Sequence, residues 1–149
     1  MLGKREDALE MRKDIYSGTL RLFGGQHLET LREASNYAAA LLHLKRYAEA
    51  RSLMSKTVPV ARRVAGEDKY LTLMMRMHYA RALYQDEESA TLKDVREAVE
   101  TLEDLERTAR RVLGSAHPFT MAIERELPKA RAALRARETP SSPPPSGSV

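Results

Sequence analysis

Apolar positions recur at intervals of three and four through most of the chain. Tyr47, Ala50, Met54, Thr57, Ala61 and Val64 form one such series, and Val95, Ala98, Leu102, Leu105, Ala109 and Val112 form another. That spacing lines one face of an α-helix. A shorter series at Leu31, Ala34, Ala38 and Leu41 precedes the first, and its counterpart at Leu73, Ala80 and Leu83 precedes the second. The pattern therefore predicts two helix pairs. At the ends, Ala8, Met11, Ile15, Thr19 and Leu22 predict a lone second-type helix over residues 1–22, and residues 118–138 predict a lone first-type helix.

The turns repeat as well. Gly24 is followed by His27 and Thr30, Gly66 by Lys69 and Thr72, and Gly114 by His117 and Thr120. The glycines are 42 and 48 residues apart, and each stands six before its threonine. Glycine fits the left-handed exit of a helix, and Arg62-Arg63 and Arg110-Arg111 fall in the last turn, where positive charge complements the helix dipole. Thr30 with Glu33, and Thr91 with Asp94, have N-cap spacing, a feature that contributes about 1 kcal/mol. Alanine at positions 38, 50, 80 and 98 predicts close helix crossings, and six extra residues of the second unit fall near 85–91, between its helices. The expected fold is all-α, a right-handed antiparallel helix-pair solenoid. Its repeat domain spans 1–138, with half unit 1–22, full units 23–64 and 65–112, and half unit 113–138; 139–149 is a Pro/Ser-rich tail whose composition predicts disorder.

Composition narrows the function classes. The 149 residues are 42% apolar and 31% charged, enough for one globular domain. Aromatics make up 5% with no tryptophan, which favours close-packed helices. No cysteine is present, so disulfides, thiolate metal sites and a cysteine nucleophile are excluded. Charges at Lys4, Arg5, Glu6, Asp7, Glu10, Arg12, Lys13 and Asp14 break any leader or membrane-spanning run, so a cytoplasmic protein without membrane partners is expected. The net charge is +4, but 25 basic residues are interleaved with 21 acidic ones.

The turn Leu113-Gly114-Ser115-Ala116-His117-Pro118-Phe119-Thr120 and the unit Thr30 to Gly66 carry a family resemblance. That unit includes Asn36-Tyr37-Ala38, Leu41, Lys45-Arg46-Tyr47-Ala48-Glu49-Ala50 and Leu53. Over about residues 8–135 the chain resembles tetratricopeptide repeats of the kinesin light chain type. The resemblance implies a protein-binding scaffold whose concave surface, lined by the first helix of each pair, receives extended peptides. It also implies that Asn36 holds a ligand's backbone; His78 and Glu126 stand at that position in the later units. Pro128 replaces the alanine of Ala38 and Ala80, and an interior proline costs roughly 3 kcal/mol or kinks the helix, so the last helix is expected to bend or start late. Nothing resembles a motor-binding coiled coil, so transport by kinesin is not implied.

Opposite the core stripes, the first helices carry Arg32, Asn36, Ala39 and His43, then Met74, His78, Arg81 and Gln85, then Arg125, Glu126 and Lys129. With four cations against one carboxylate, the groove they predict suits an acidic extended peptide, Asn36 bonding its backbone and Met74 giving apolar contact. The plain alternative is a set of solvated charges. Charge reversal at Arg32 and Arg81 is expected to abolish partner binding. The four histidines lack metal-ligand spacing; His27 and His117 occupy equivalent turns and are expected to brace them. No nucleophile, phosphate loop or carboxylate pair is evident, so no enzyme activity, small-molecule substrate or cofactor is expected. Arg62, Arg63, Arg110, Arg111, Arg131, Arg135 and Arg137 raise nucleic-acid binding, but two pairs of them sit at helix ends and no aromatics interleave for base stacking. Self-association is a further alternative, through the apolar edge of residues 8–22. In the tail, Thr139-Pro140 and Ser142-Pro143 match proline-directed phosphorylation sites, and Pro143 to Pro145 form a short polyproline run.

Overall fold

A computed structural model describes residues 2–139; the tail from 140 onward, with its proline motifs, lies outside the described residues. The described chain is all α-helical. Its elements are α1 (Leu2–Phe23), α2 (Leu28–His43), α3 (Tyr47–Val64), α4 (Tyr70–Tyr84), α5 (Leu92–Val112) and α6 (Pro118–Glu138). Each helix packs on the next, and α4 also touches both α2 and α6. The pairs predicted from the stripes are α2 with α3 and α4 with α5. The longer second-unit connection falls at residues 85–91, where the first unit needs only 44–46.

The three glycine turns share one geometry. Gly24, Gly66 and Gly114 have φ of 81°, 115° and 91°, the left-handed region a side chain strains to enter. The next helix is then capped by a histidine. His27 Nδ1 accepts from the Glu29 amide at 3.1 Å, and His117 Nδ1 accepts from the Phe119 amide at 3.0 Å. Lys69, the equivalent in the middle turn, makes no such bond. The cap expected at Thr30 is therefore wrong: Thr30 lies inside α2, buried, and its hydroxyl donates to the Thr19 carbonyl at 3.2 Å. Thr72 donates in the same way to the Ala61 carbonyl at 3.3 Å. The glycine-to-threonine spacing thus ties α2 and α4 to the helix before each, whereas Thr120, the equivalent residue of α6, is buried with its hydroxyl unpartnered among the described residues. Thr91 and Asp94 do form the expected reciprocal cap, both bonds at 3.1 Å.

Two apolar cores meet on α4. One joins Leu31, Ala38, Leu41, Ala50, Met54 and Ala61 to Met75 and Ala82; the other joins Leu73, Met77, Ala80 and Leu83 to Val95, Leu102, Leu105, Ile123 and Leu127. Ala38, Ala50, Ala80 and Ala98 are all 0% exposed, as their crossing role requires. Helix α6 does not start late. It begins at Pro118 and runs unbroken through Pro128, which is exposed, so water can satisfy the carbonyl its ring leaves free. Helix α1 also departs from its expected stripe. Leu9 and Tyr16 face the core, whereas Met11 is 64% and Leu22 79% exposed, with Ala8 and Ile15 exposed beside them.

Two substitutions test the turn geometry. Gly66→Ala, forced into φ 115°, is expected to cost about 1–2 kcal/mol. Thr72→Val, which keeps shape and removes the buried bond, is expected to cost about 1 kcal/mol. Urea denaturation of each variant checks both values.

Candidate functional site

The first helices α2, α4 and α6 lie side by side, and their outward residues line two depressions one helical turn apart. The first is formed by Arg32, Ser35 and Asn36 of α2 with Tyr70, Leu71 and Met74 at the start of α4. The second gathers Ala39, His43 and Lys45, then His78, Arg81 and Gln85, then Glu126 and Lys129. Ten of the eleven groove residues read from the sequence line one or the other depression: Arg32, Asn36 and Met74 the first, and Ala39, His43, His78, Arg81, Gln85, Glu126 and Lys129 the second. Arg125 does not; it is exposed and lines neither depression. Lys45, which sequence reasoning missed, takes its place. It sits at φ 60° in the turn after α2, where face-by-face helical spacing cannot position a side chain. Tyr70 was missed for a similar reason, standing at the first residue of α4.

The charges divide into engaged and open ones. Glu126 is 3% exposed. Its carboxylate accepts from the Tyr84 hydroxyl, from Gln85 Nε2 at 2.9 Å and from Arg81 at 3.2 Å. Burial pushes its pKa up, but the bonds from Tyr84, Arg81 and Gln85 together hold it below the usual carboxylate range. The reverse holds for Tyr84, whose phenol burial and the neighbouring carboxylate push far up. Arg81 is therefore committed to a buried carboxylate rather than held free for a ligand. Reversing its charge would place a second carboxylate against Glu126, so the expected Arg32 and Arg81 double reversal would probe folding as much as binding.

What remains open is cationic and polar. Lys45 and Lys129 are exposed, and Arg32, also exposed, pairs with Glu29 at 2.6 Å on its own helix, an arrangement worth only about 0–1 kcal/mol. Asn36 reaches Glu33 at 3.5 Å, a long contact that leaves most of its amide capacity unused. His78 is 8% exposed and its Nδ1 has no partner among the described residues. Burial, and then the Arg81 charge, lower its pKa to about 4, so it is neutral at physiological pH and offers hydrogen bonding rather than charge.

A second cleft, between α3, α4 and α5, is lined by Met54, Val58, Pro59, Arg76, Tyr79 and Glu97. Within it Tyr79 bonds Glu97 at 3.1 Å, and Arg76 bonds Asp104 beyond the lining at 2.8 Å while its Nε has no partner among the described residues. Among the described residues no group of three or more His, Asp and Glu is placed to hold a metal ion, and no helix is long and apolar enough to cross a membrane. Compared with known proteins, the chain matches no family model and shows no significant similarity to a curated relative.

The buried histidine makes a pH prediction. The unfolded chain takes up a proton near pH 6.5, whereas folded His78 resists until about pH 4, so stability falls as pH drops through that window. Between pH 7 and pH 5 this amounts to about 2 kcal/mol. His78→Gln is expected to flatten the slope, read from urea denaturation at the two pH values. Separately, Arg81→Glu is expected to cost about 3 kcal/mol by stranding the Glu126 carboxylate, while Arg32→Glu leaves stability within about 0.5 kcal/mol.

Proposed function

We propose that this protein is a tetratricopeptide-type module, a right-handed helix-pair solenoid, that binds an extended acidic segment of another protein along the groove of α2, α4 and α6, with no chemical step of its own. The observation that carries the reading is the split between engaged and open charge. The groove's one lining carboxylate, Glu126, is buried and satisfied, while Lys45, Lys129 and Arg32 face outward. An acidic ligand would meet the exposed Lys45 and Lys129, and would engage Arg32 in competition with Glu29 on the same helix. Asn36 and the neutral His78 supply polar contacts for a peptide backbone, and Met74 with Leu71 supplies an apolar patch that adapts to different side chains. Repeated turns with matching left-handed glycines and cross-turn threonines support the solenoid assignment.

Selection from a random linear-peptide display library tests this reading. The wild-type protein is expected to enrich acidic sequences. The double variant Arg32→Glu, Lys129→Glu, which touches no buried pair, is expected to bind the enriched peptides roughly tenfold more weakly, and raised salt should act in the same direction. Enrichment of neutral or basic peptides, or equal binding by wild type and variant, contradicts it.

A further inference from the structure

Helix α1 carries two apolar faces, and only one of them is covered. Leu9 and Tyr16 are buried against α2. The other face consists of Ala8, Met11, Ile15, Gly18 and Leu22, at alternating spacings of three and four, and none of its side chains is buried. The repeat shows that such a face is built to be covered. In α3, 42 residues further on, the positions equivalent to Ala8, Met11 and Ile15 are Ala50, Leu53 and Thr57, all three buried, while those equivalent to Gly18 and Leu22 are the half-buried Val60 and the exposed Val64 at the helix end.

We propose that a second copy of this chain covers it, the two α1 helices packing side by side in the same direction about a two-fold axis. Charge selects both the occupant and the orientation. Asp7 and Asp14 run along one edge of the apolar face, and Arg5 and Arg12 run along the other. All four are exposed, and none forms an ion pair among the described residues. In a parallel pair the acidic edge of each helix meets the basic edge of the other, Asp7 opposite the second copy's Arg12, whereas an antiparallel pair opposes like edges. Three-four spacing of apolar positions is the seam that two helices share in this arrangement.

The far end of the molecule does not fit as the occupant. Helix α6 places Arg125, Pro128 and Arg131 where α2 has Ser35, Ala38 and Leu41, so its open side is cationic and would bury charge against the Met11 and Ile15 surface. That is the polar outer face expected of a helix that ends a stack. Head-to-tail stacking is thereby disfavoured, and the self-complementary two-fold pair remains, the commonest symmetry of homo-oligomers. This inference goes beyond the groove reading and is independent of it: α1 contributes no residue to the groove.

Light scattering after size exclusion, with loading from about 5 to about 500 µM, reads the outcome. The wild-type mass is expected to rise from 16.8 kDa towards twice that value. Met11→Lys, at a 64% exposed position, is expected to stay monomeric, with a urea midpoint equal to that of the wild type at dilutions where both are monomeric. Asp7→Arg alone and Arg12→Asp alone each oppose like charges and should weaken the dimer on the order of tenfold. An equimolar mixture of those two variants matches both pairs again and should dimerise as the wild type does. A wild type that stays monomeric throughout overturns the proposal. So does a dimer that survives Met11→Lys, or a mixture of charge variants no better paired than either alone.

Discussion

The stack depends on α4 being buried on two sides at once. Met75 and Ala82 belong to the core shared with α2 and α3, and Leu73, Met77, Ala80 and Leu83 belong to the core shared with α5 and α6. A helix pair alone leaves one apolar face wet; stacking a second pair removes it from water at about 25 cal/mol for each Å² covered. Fully buried alanines at 38, 50, 80 and 98 allow the close crossings, and the left-handed glycines return the chain at the right place for the next helix. The same constraint divides the two end helices. α6 has one apolar face and turns arginines outward, whereas α1 has two apolar faces and covers one.

Polar side chains inside this frame are arranged so that almost nothing buried is left charged and alone. Glu126 is surrounded by Tyr84, Gln85 and Arg81, which fixes α6 against α4 at the floor of the groove. Asp94 caps α5 and also accepts from Arg51 at 3.0 Å, tying the first unit to the second. Satisfying the buried carboxylates within the fold leaves the groove's surface charge to Lys45, Lys129 and Arg32. Function, on this account, is a consequence of which charges the fold has already consumed.

Short-range features were legible in the sequence, and features that depend on distant partners were not. The glycine turns could be read because a left-handed residue is a local demand. The Thr91–Asp94 cap was legible for the same reason. Thr30 with Glu33 has the same local spacing, yet its hydroxyl bonds across the turn to Thr19, a partner in another helix that spacing cannot reveal. The stripe read for α4 held only Leu73, Ala80 and Leu83, since a helix buried on two sides loses single-face periodicity. In α1 two apolar faces compete, and period alone cannot say which one packs. Most residues read for the outward faces line the two depressions because equivalent positions of equivalent helices share a face. Counting charges nevertheless missed that Arg81 meets Glu126, 45 residues along the chain.

Methyl NMR on the methionines gives the most direct view of where a ligand sits. Met74 lies in the α2–α4–α6 groove, Met54 in the cleft between α3, α4 and α5, and Met11 on the open face of α1. On titration with an acidic extended peptide, the account predicts that the Met74 methyl signal shifts to saturation while those of Met54 and Met11 stay in place. Movement of Met54 or Met11 with Met74 unchanged would contradict it.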